Sequence, residues 1–126
     1  MEEINSNQIG VAFKGSGSYV PNQILANRDI SKRVDTSDEW IKSRTGISQR
    51  RISGLEEDVS QMGYKAALAA INMAKWDIDT IDLIILATST PNDLFGSAPS
   101  IQEKLGANNA VAFDLTAACS GFLFAV

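Results

Sequence analysis

The chain has 126 residues, 44% of them apolar, which is enough for one core-forming domain, and its 15 acidic against 11 basic side chains give a net charge of -4. That balance excludes a general affinity for nucleic-acid phosphates. There is one cysteine and no histidine, so an intramolecular disulfide, a Cys–His pair, a Ser–His–Asp triad and an ordinary zinc site are all excluded within this sequence, and a cytosolic compartment is expected.

Met1 to Gln8 is acidic and polar, without the apolar centre of a secretory signal, and is expected to be a loose tail ahead of a single domain over residues 9–126. Ile9 to Phe13 predicts a strand, stopped by the glycines and serines of Lys14 to Ser18, and Pro21 then fixes a turn. Gly15-Ser16-Gly17 after a strand invites comparison with a dinucleotide fingerprint. The third glycine is missing, Val20 stands in its place and Pro21 breaks the helix that should follow, so that reading is rejected. Asn27 predicts the N-cap of a short helix through Arg33, and Thr36 with Glu39 forms a capping-box pattern opening a second helix that carries Trp40, Ile41 and Arg44 and ends near Gly46. Ile47 to Ile52 predicts an edge strand whose Arg50 and Arg51 face water.

A longer helix is predicted from Val59 to Lys75, with Val59, Met62, Ala66, Ala69, Ala70 and Met73 on one side. The small alanines of that stripe should let it approach a sheet closely. The expected sheet partner is Ile81 to Ala87, whose consecutive Leu83, Ile84, Ile85 and Leu86 suit a strand covered on both faces. Its Leu83 to Ala87 stretch is strand-sized and far short of the roughly 20 residues of a membrane span. A polar loop from Thr88 to Phe95 follows, then a helix near Ser97 to Leu105 with Pro99 in its first turn and Gly106 at its end, and a strand from Val111 to Leu115. The order is that of a parallel α/β layer.

Ala117, Ala118, Cys119, Ser120 and Gly121 form a small-residue corner leading into Phe122 to Val126. Such a corner lets a nucleophile sit at a helix N-terminus, where free N–H groups and the helix dipole stabilise a thiolate and can hold an oxyanion. A buried, inert cysteine fits the same composition, and spacing alone does not decide between them. Trp40 and Arg44, four apart, share a helix face, and an indole and a guanidinium at that spacing can hold an adenine between them. From the residues alone a Trp40 packed in the core beside a solvated Arg44 is the more ordinary arrangement, since a helical tryptophan is usually packing.

Three stretches carry a resemblance that goes further. Phe113-Asp114-Leu115-Thr116-Ala117-Ala118-Cys119-Ser120-Gly121-Phe122 closely resembles the nucleophile region of the β-ketoacyl-acyl carrier protein synthase III family. Gly15 to Pro21 followed by Val34 to Ile47, with its specific Asp35-Thr36-Ser37-Asp38-Glu39-Trp40, and Asp82 to Thr90 resemble the family in the same order. The resemblance implies a thiolase-like fold, of which this chain is the N-terminal half of a layered α/β/α/β/α sandwich, cut shortly after the nucleophile. It implies that Cys119 takes an acyl group from an acyl-coenzyme A and that malonyl-acyl carrier protein, decarboxylated, extends it by two carbons. It further implies that Thr36, Trp40 and Arg44 bind coenzyme A, a substrate rather than a prosthetic group, and that Ser89 and Phe95 shape the acyl pocket, Phe95 across a homodimer interface. Ser89 stands where many relatives have threonine, and the loop between Phe95 and Leu105 is one residue shorter than in close relatives, which leaves acyl preference open. The histidine and asparagine that the family uses are not in this chain, so it is expected to be inactive alone. A polyketide or other specialised condensing enzyme shares the nucleophile region, and a non-catalytic coenzyme A-binding or partner-binding module fits the missing histidine but gives no reason for the thiol.

Overall fold

The computed structural model describes residues 10–126, so the tail expected at Met1 to Gln8 lies outside the described residues. The elements run β1 (Gln23–Ala26), α1 (Asn27–Ile30), α2 (Asp38–Thr45), β2 (Gln49–Ile52), α3 (Val59–Ala74), β3 (Leu83–Ala87), α4 (Ala98–Leu105), β4 (Val111–Leu115) and α5 (Gly121–Ala125). Short 3₁₀ turns lie at Ile78–Thr80 and Ala118–Ser120. β3 and β4 pair in parallel from Leu83 opposite Val111 to Ala87 opposite Leu115, with α4 in the crossover that a parallel pair requires. This is the α/β layer the sequence predicts.

Its core is Ile101, Leu105, Ala107 and Ala110, against which Tyr64, Leu68 and Ile71 of α3 and Ile84 and Leu86 of β3 pack. The side of α3 that meets the layer is therefore not the predicted alanine stripe. That stripe receives the chain's own N-terminal segment instead: a Cβ on Gly15 or Gly17 would collide with the carbonyl oxygens of Ala70 and Ala66. Bulky Leu68 and Ile71 fill the wider helix-to-sheet gap, whereas bare glycine backbone alone can lie against alanines. β3 is likewise covered less completely than its run of apolar residues predicts. Leu83 is 51% exposed, while Ile84, Ile85 and Leu86 are partly buried.

Two further expectations are corrected. Gly10 to Phe13 forms no strand, because a strand needs a ladder partner and none is present among the described residues; Val11 and Phe13 are 92% and 81% exposed. β1, which the sequence reading missed, pairs antiparallel with β2 from Gln23 opposite Ile52 to Ala26 opposite Gln49. Arg50 and Arg51 of β2 do not simply face water. Arg50 donates to the Asn27 side chain, and Arg51 donates to the Pro21 carbonyl at 3.1 Å.

Helix ends follow from local chemistry. Asp58 caps α3, accepting the Gln61 N–H at 2.7 Å, and α4 carries Pro99 in its first turn and closes at Gly106 with φ 73°, a left-handed conformation that favours glycine. The start of α4 is capped from another element. The Asp114 carboxylate of β4 accepts the N–H groups of Ser97 and Ala98 at 2.7–2.9 Å, which locks helix to strand through charge-assisted bonds.

Candidate functional site

The residues singled out by the sequence fall in two places. The first is built on α2. Its N-cap is Ser37, whose hydroxyl accepts the Trp40 N–H at 3.1 Å, one residue later than the Thr36 cap expected. The helix ends at Gly46 with φ 72°, as predicted. With Ser37 doing the capping, Thr36 is released from that role, and its Oγ1 is buried without a hydrogen-bond partner among the described residues. A buried hydroxyl in that state is costly unless a ligand completes it.

Ile41 is the buried residue of α2, while Trp40 is 57% exposed. Within the described residues Ile41, and not Trp40, is the core residue of the helix. Asp35, Thr36, Ser37 and Trp40 line a depression of about 430 Å³, a size suited to part of a small-molecule ligand. The Arg44 guanidinium lies over the Trp40 ring, its Cζ 5.9 Å from the centroid, a cation–π distance. A planar base inserted between them needs about 7 Å, twice a van der Waals separation. Arg44, which is exposed, must therefore swing outward by roughly 1 Å to admit one.

α2 is held in place by a residue whose role sequence reasoning mistook. Asn27 is 1% exposed and caps no helix; the N-cap position of α1 is Ala26, with no side-chain bond. Its Nδ2 instead donates to Asp38 Oδ1 at 2.8 Å and to the Ile47 carbonyl at 2.7 Å. Asp38 also pairs with Lys42 at 2.7 Å, and this bond first, then that of Asn27, holds the Asp38 carboxyl below its ordinary range.

The second place is the carboxyl edge of the parallel pair. After β4 the chain turns through Ala118, whose φ of 44° is unusual for a residue with a side chain, and presents Cys119 exposed and free in the 3₁₀ turn that precedes α5. Among the described residues nothing covers the thiol. Gly121 is buried, and a Cβ there would come within 3.1 Å of Ala87 of β3, a tight contact that a glycine avoids. The loop after β3 is tied to the same edge: the Thr88 N–H donates to the Leu115 carbonyl at 3.0 Å, and the Thr116 hydroxyl donates to the Thr88 carbonyl at 3.1 Å. Ser89 follows directly, exposed. In open α/β layers, ligands bind outside the carboxyl ends of strands.

Phe95 lies farther along that loop and is 91% exposed, beside Leu94 at 101%. The loop beneath them is ordered by bonds that the sequence did not announce. The Asn92 N–H donates to Ser97 Oγ at 2.8 Å, and Asn92 Nδ2 donates to Ser60 Oγ at 3.1 Å. Asp114 was equally missed as a fixed point, although a carboxylate interrupting Val111-Ala112-Phe113 of an otherwise apolar strand is a signal that it must find donors. No group of histidine, cysteine and carboxylate side chains able to hold a metal is present among the described residues, and no helix among them is long and apolar enough to cross a membrane.

No protein-family model matches the chain. Among curated proteins it is 87% identical over all 126 residues to the β-ketoacyl-[acyl-carrier-protein] synthase III of Prochlorococcus marinus strain MIT 9515, of which it covers 38%. The chain thus spans well under half the length of the curated relatives it matches. Among solved structures it is similar to 3-oxoacyl-[acyl-carrier-protein] synthase III of Aquifex aeolicus, with a TM-score of 0.85 and 47% identity over 88% of this chain and 36% of that one. It also matches the priming β-ketosynthase of a polyketide biosynthetic pathway, with a TM-score of 0.86 and 38% identity over 90% of this chain and 34% of that one. These are condensing enzymes, and the expected thiolase-like α/β fold stands on the likeness.

Proposed function

We propose, from the premise that the chain belongs to the β-ketoacyl-[acyl-carrier-protein] synthase III family, that it supplies the acyl-accepting thiol and the coenzyme A seat of an enzyme that condenses acyl-coenzyme A with malonyl-acyl carrier protein to initiate fatty-acid synthesis. The observation that carries this is the exposed Cys119 at a strained corner on the carboxyl edge of the β3–β4 pair. In this reading the Cys119 sulfur attacks the thioester carbonyl of acyl-coenzyme A, the C–S bond to coenzyme A breaks, and coenzyme A leaves as the thiol. The acyl-cysteine is then attacked by the carbanion that malonyl-acyl carrier protein yields on losing carbon dioxide, and the cysteine thiol is released. Splitting the reaction at a covalent intermediate replaces one high barrier by two lower ones.

Trp40 and Arg44 take the adenine, and the unpartnered Thr36 hydroxyl supplies a hydrogen bond to the same ligand. Ser89 and Phe95 belong to the acyl end, with Phe95 reaching a second copy in a homodimer, which accounts for a large aromatic side chain left in solvent on an ordered loop. Coenzyme A is substrate here and no prosthetic group is called for. The compartment is the cytoplasm. With no histidine in 126 residues, the imidazole that assists decarboxylation comes from outside this chain.

A priming ketosynthase of a polyketide pathway is the second reading, favoured by the 38% identity to such an enzyme. The test is to supply the full-length protein bearing this sequence with labelled acetyl-coenzyme A and malonyl-acyl carrier protein and to look for the β-ketoacyl product, with the Cys119→Ala protein alongside. Product formed by the first and lost in the second is expected. Turnover only with another primer class favours the second reading, and product that survives Cys119→Ala overturns both.

A further inference from the structure

We infer that Asn27 is a positioning residue for the coenzyme A site, setting the tilt of α2 and thereby the spacing of Trp40 and Arg44; the inference rests on the adenine-binding role proposed for those two side chains. α2 has eight residues, about 12 Å of helix, too short to hold its own shape without tertiary support. One buried side chain, Ile41, anchors it, and a helix pinned at one point can rock about that point. Asn27 removes this freedom because one amide grips both ends. Its Nδ2 hydrogens reach Asp38, the first residue of α2, at 2.8 Å and the Ile47 carbonyl, just beyond the Gly46 cap, at 2.7 Å. Its Oδ1 accepts from Arg50 of β2, and its own carbonyl accepts the Ser31 N–H at 3.0 Å and hydroxyl at 2.9 Å. With 1% exposure and its amide donors and acceptor used, Asn27 has no water to trade with, so its geometry is stiff. The face it steadies is the outer one, where Trp40 and Arg44 must part by roughly 1 Å and no more to grip a flat ring.

The discriminating substitution is Asn27→Asp, which keeps the shape and the bond from Arg50 but turns an oxygen toward Asp38 and the Ile47 carbonyl, where a donor is required. In the full-length protein, the dissociation constant for coenzyme A and the KM for acetyl-coenzyme A should rise about tenfold, the effect of one lost buried bond, while kcat changes by less than about twofold. Asn27→Asp combined with Asp38→Asn restores a donor opposite the new carboxylate and should recover part of the loss. A residue that only stabilised the fold would lower the active fraction, and so kcat, without moving KM. Asn27→Ser, too short to span both partners, gives the same KM-selective result if the aspartate variant does not fold. Trp40→Ala is measured in parallel. If it weakens coenzyme A binding and neither Asn27 variant does, the positioning role is overturned and the adenine site stands. If Trp40→Ala binds normally, the site itself is misassigned and the inference falls with it.

Discussion

The two candidate regions differ in how much of themselves the chain supplies. Around α2 the frame is closed: Ser37 caps one end, Gly46 the other, and Asn27 bonds to both Asp38 and Arg50. Around Cys119 only the floor is built. The backbone corner is fixed by Ala118 and Gly121, yet Phe122, Leu123 and Phe124 beyond it are 70%, 76% and 70% exposed, an apolar run that a monomeric surface rarely leaves uncovered. A binding site can be made from one short stretch and its immediate neighbours, whereas a site for multistep chemistry draws on parts of a chain far apart.

The comparison predicts its largest effect for the 126-residue chain made alone. Condensation should fall by at least about 10²–10⁴-fold, the usual worth of the missing acid–base help, and should return when the remainder of the full-length protein is added as a separate polypeptide. Condensation at full rate without it would make the Cys119 region as self-sufficient as α2. Light scattering on the same sample should show self-association through the uncovered apolar residues.

Next in size is the loss from Asp114→Ala. Its carboxylate receives three bonds within 2.9 Å from the start of α4, and losing a charged cap of this kind costs on the order of 2–3 kcal/mol, read as a shift in urea midpoint of the full-length protein. The Thr88 to Ser97 loop beside Cys119 should loosen with it, so that hydrogen exchange there rises while α2 is unchanged. Equal loosening at α2 would contradict the separateness of the two regions.

Trp40→Ala and Arg44→Ala should each weaken coenzyme A binding by about 1–2 kcal/mol, the worth of a partly exposed stacking or cation–π contact, as titration calorimetry would show. Acylation of Cys119 at saturating substrate should be far less affected. The smallest effect concerns Asp58, whose carboxyl is held below its ordinary range by the Gln61 N–H and then the Ser60 hydroxyl. A depressed carboxylate stabilises the fold above its unfolded value of roughly 3.9, and that contribution is lost as pH falls through the lower folded value. Asp58→Asn, still a competent cap, should flatten the acid limb of a stability profile below about pH 4, whereas Asp58→Ala should cost about 1 kcal/mol at neutral pH.

The same division explains what the sequence disclosed. β3, α4, β4 and the Gly46 and Gly106 stops were legible because each depends on its own residues: apolar runs, a first-turn proline, a glycine where φ is positive. The pairing of β1 with β2, the true partner of the alanine stripe on α3, and the role of Asn27 were not, because each is settled by residues eleven or more positions away. Asn27 shows why. A polar residue before Arg28 and Asp29 looks like a helix cap until Asp38, Ile47 and Arg50 come to surround it. Cys119 stood out as a candidate nucleophile only through the resemblance of its surroundings, since a lone thiol among small residues also describes a buried one.

On the proposed reading, one chain segment seats the nucleotide end of an acyl thioester on Trp40 and Arg44 and takes its acyl group onto Cys119. The most direct test is peptide mass spectrometry of the full-length protein incubated with acetyl-coenzyme A and no malonyl donor, at concentrations where Trp40→Ala limits binding. The account predicts an acetyl adduct confined to the peptide containing Cys119, formed more slowly in Trp40→Ala and restored there by raising acetyl-coenzyme A. An adduct elsewhere, or none on Cys119 while the protein still condenses its substrates, would contradict it.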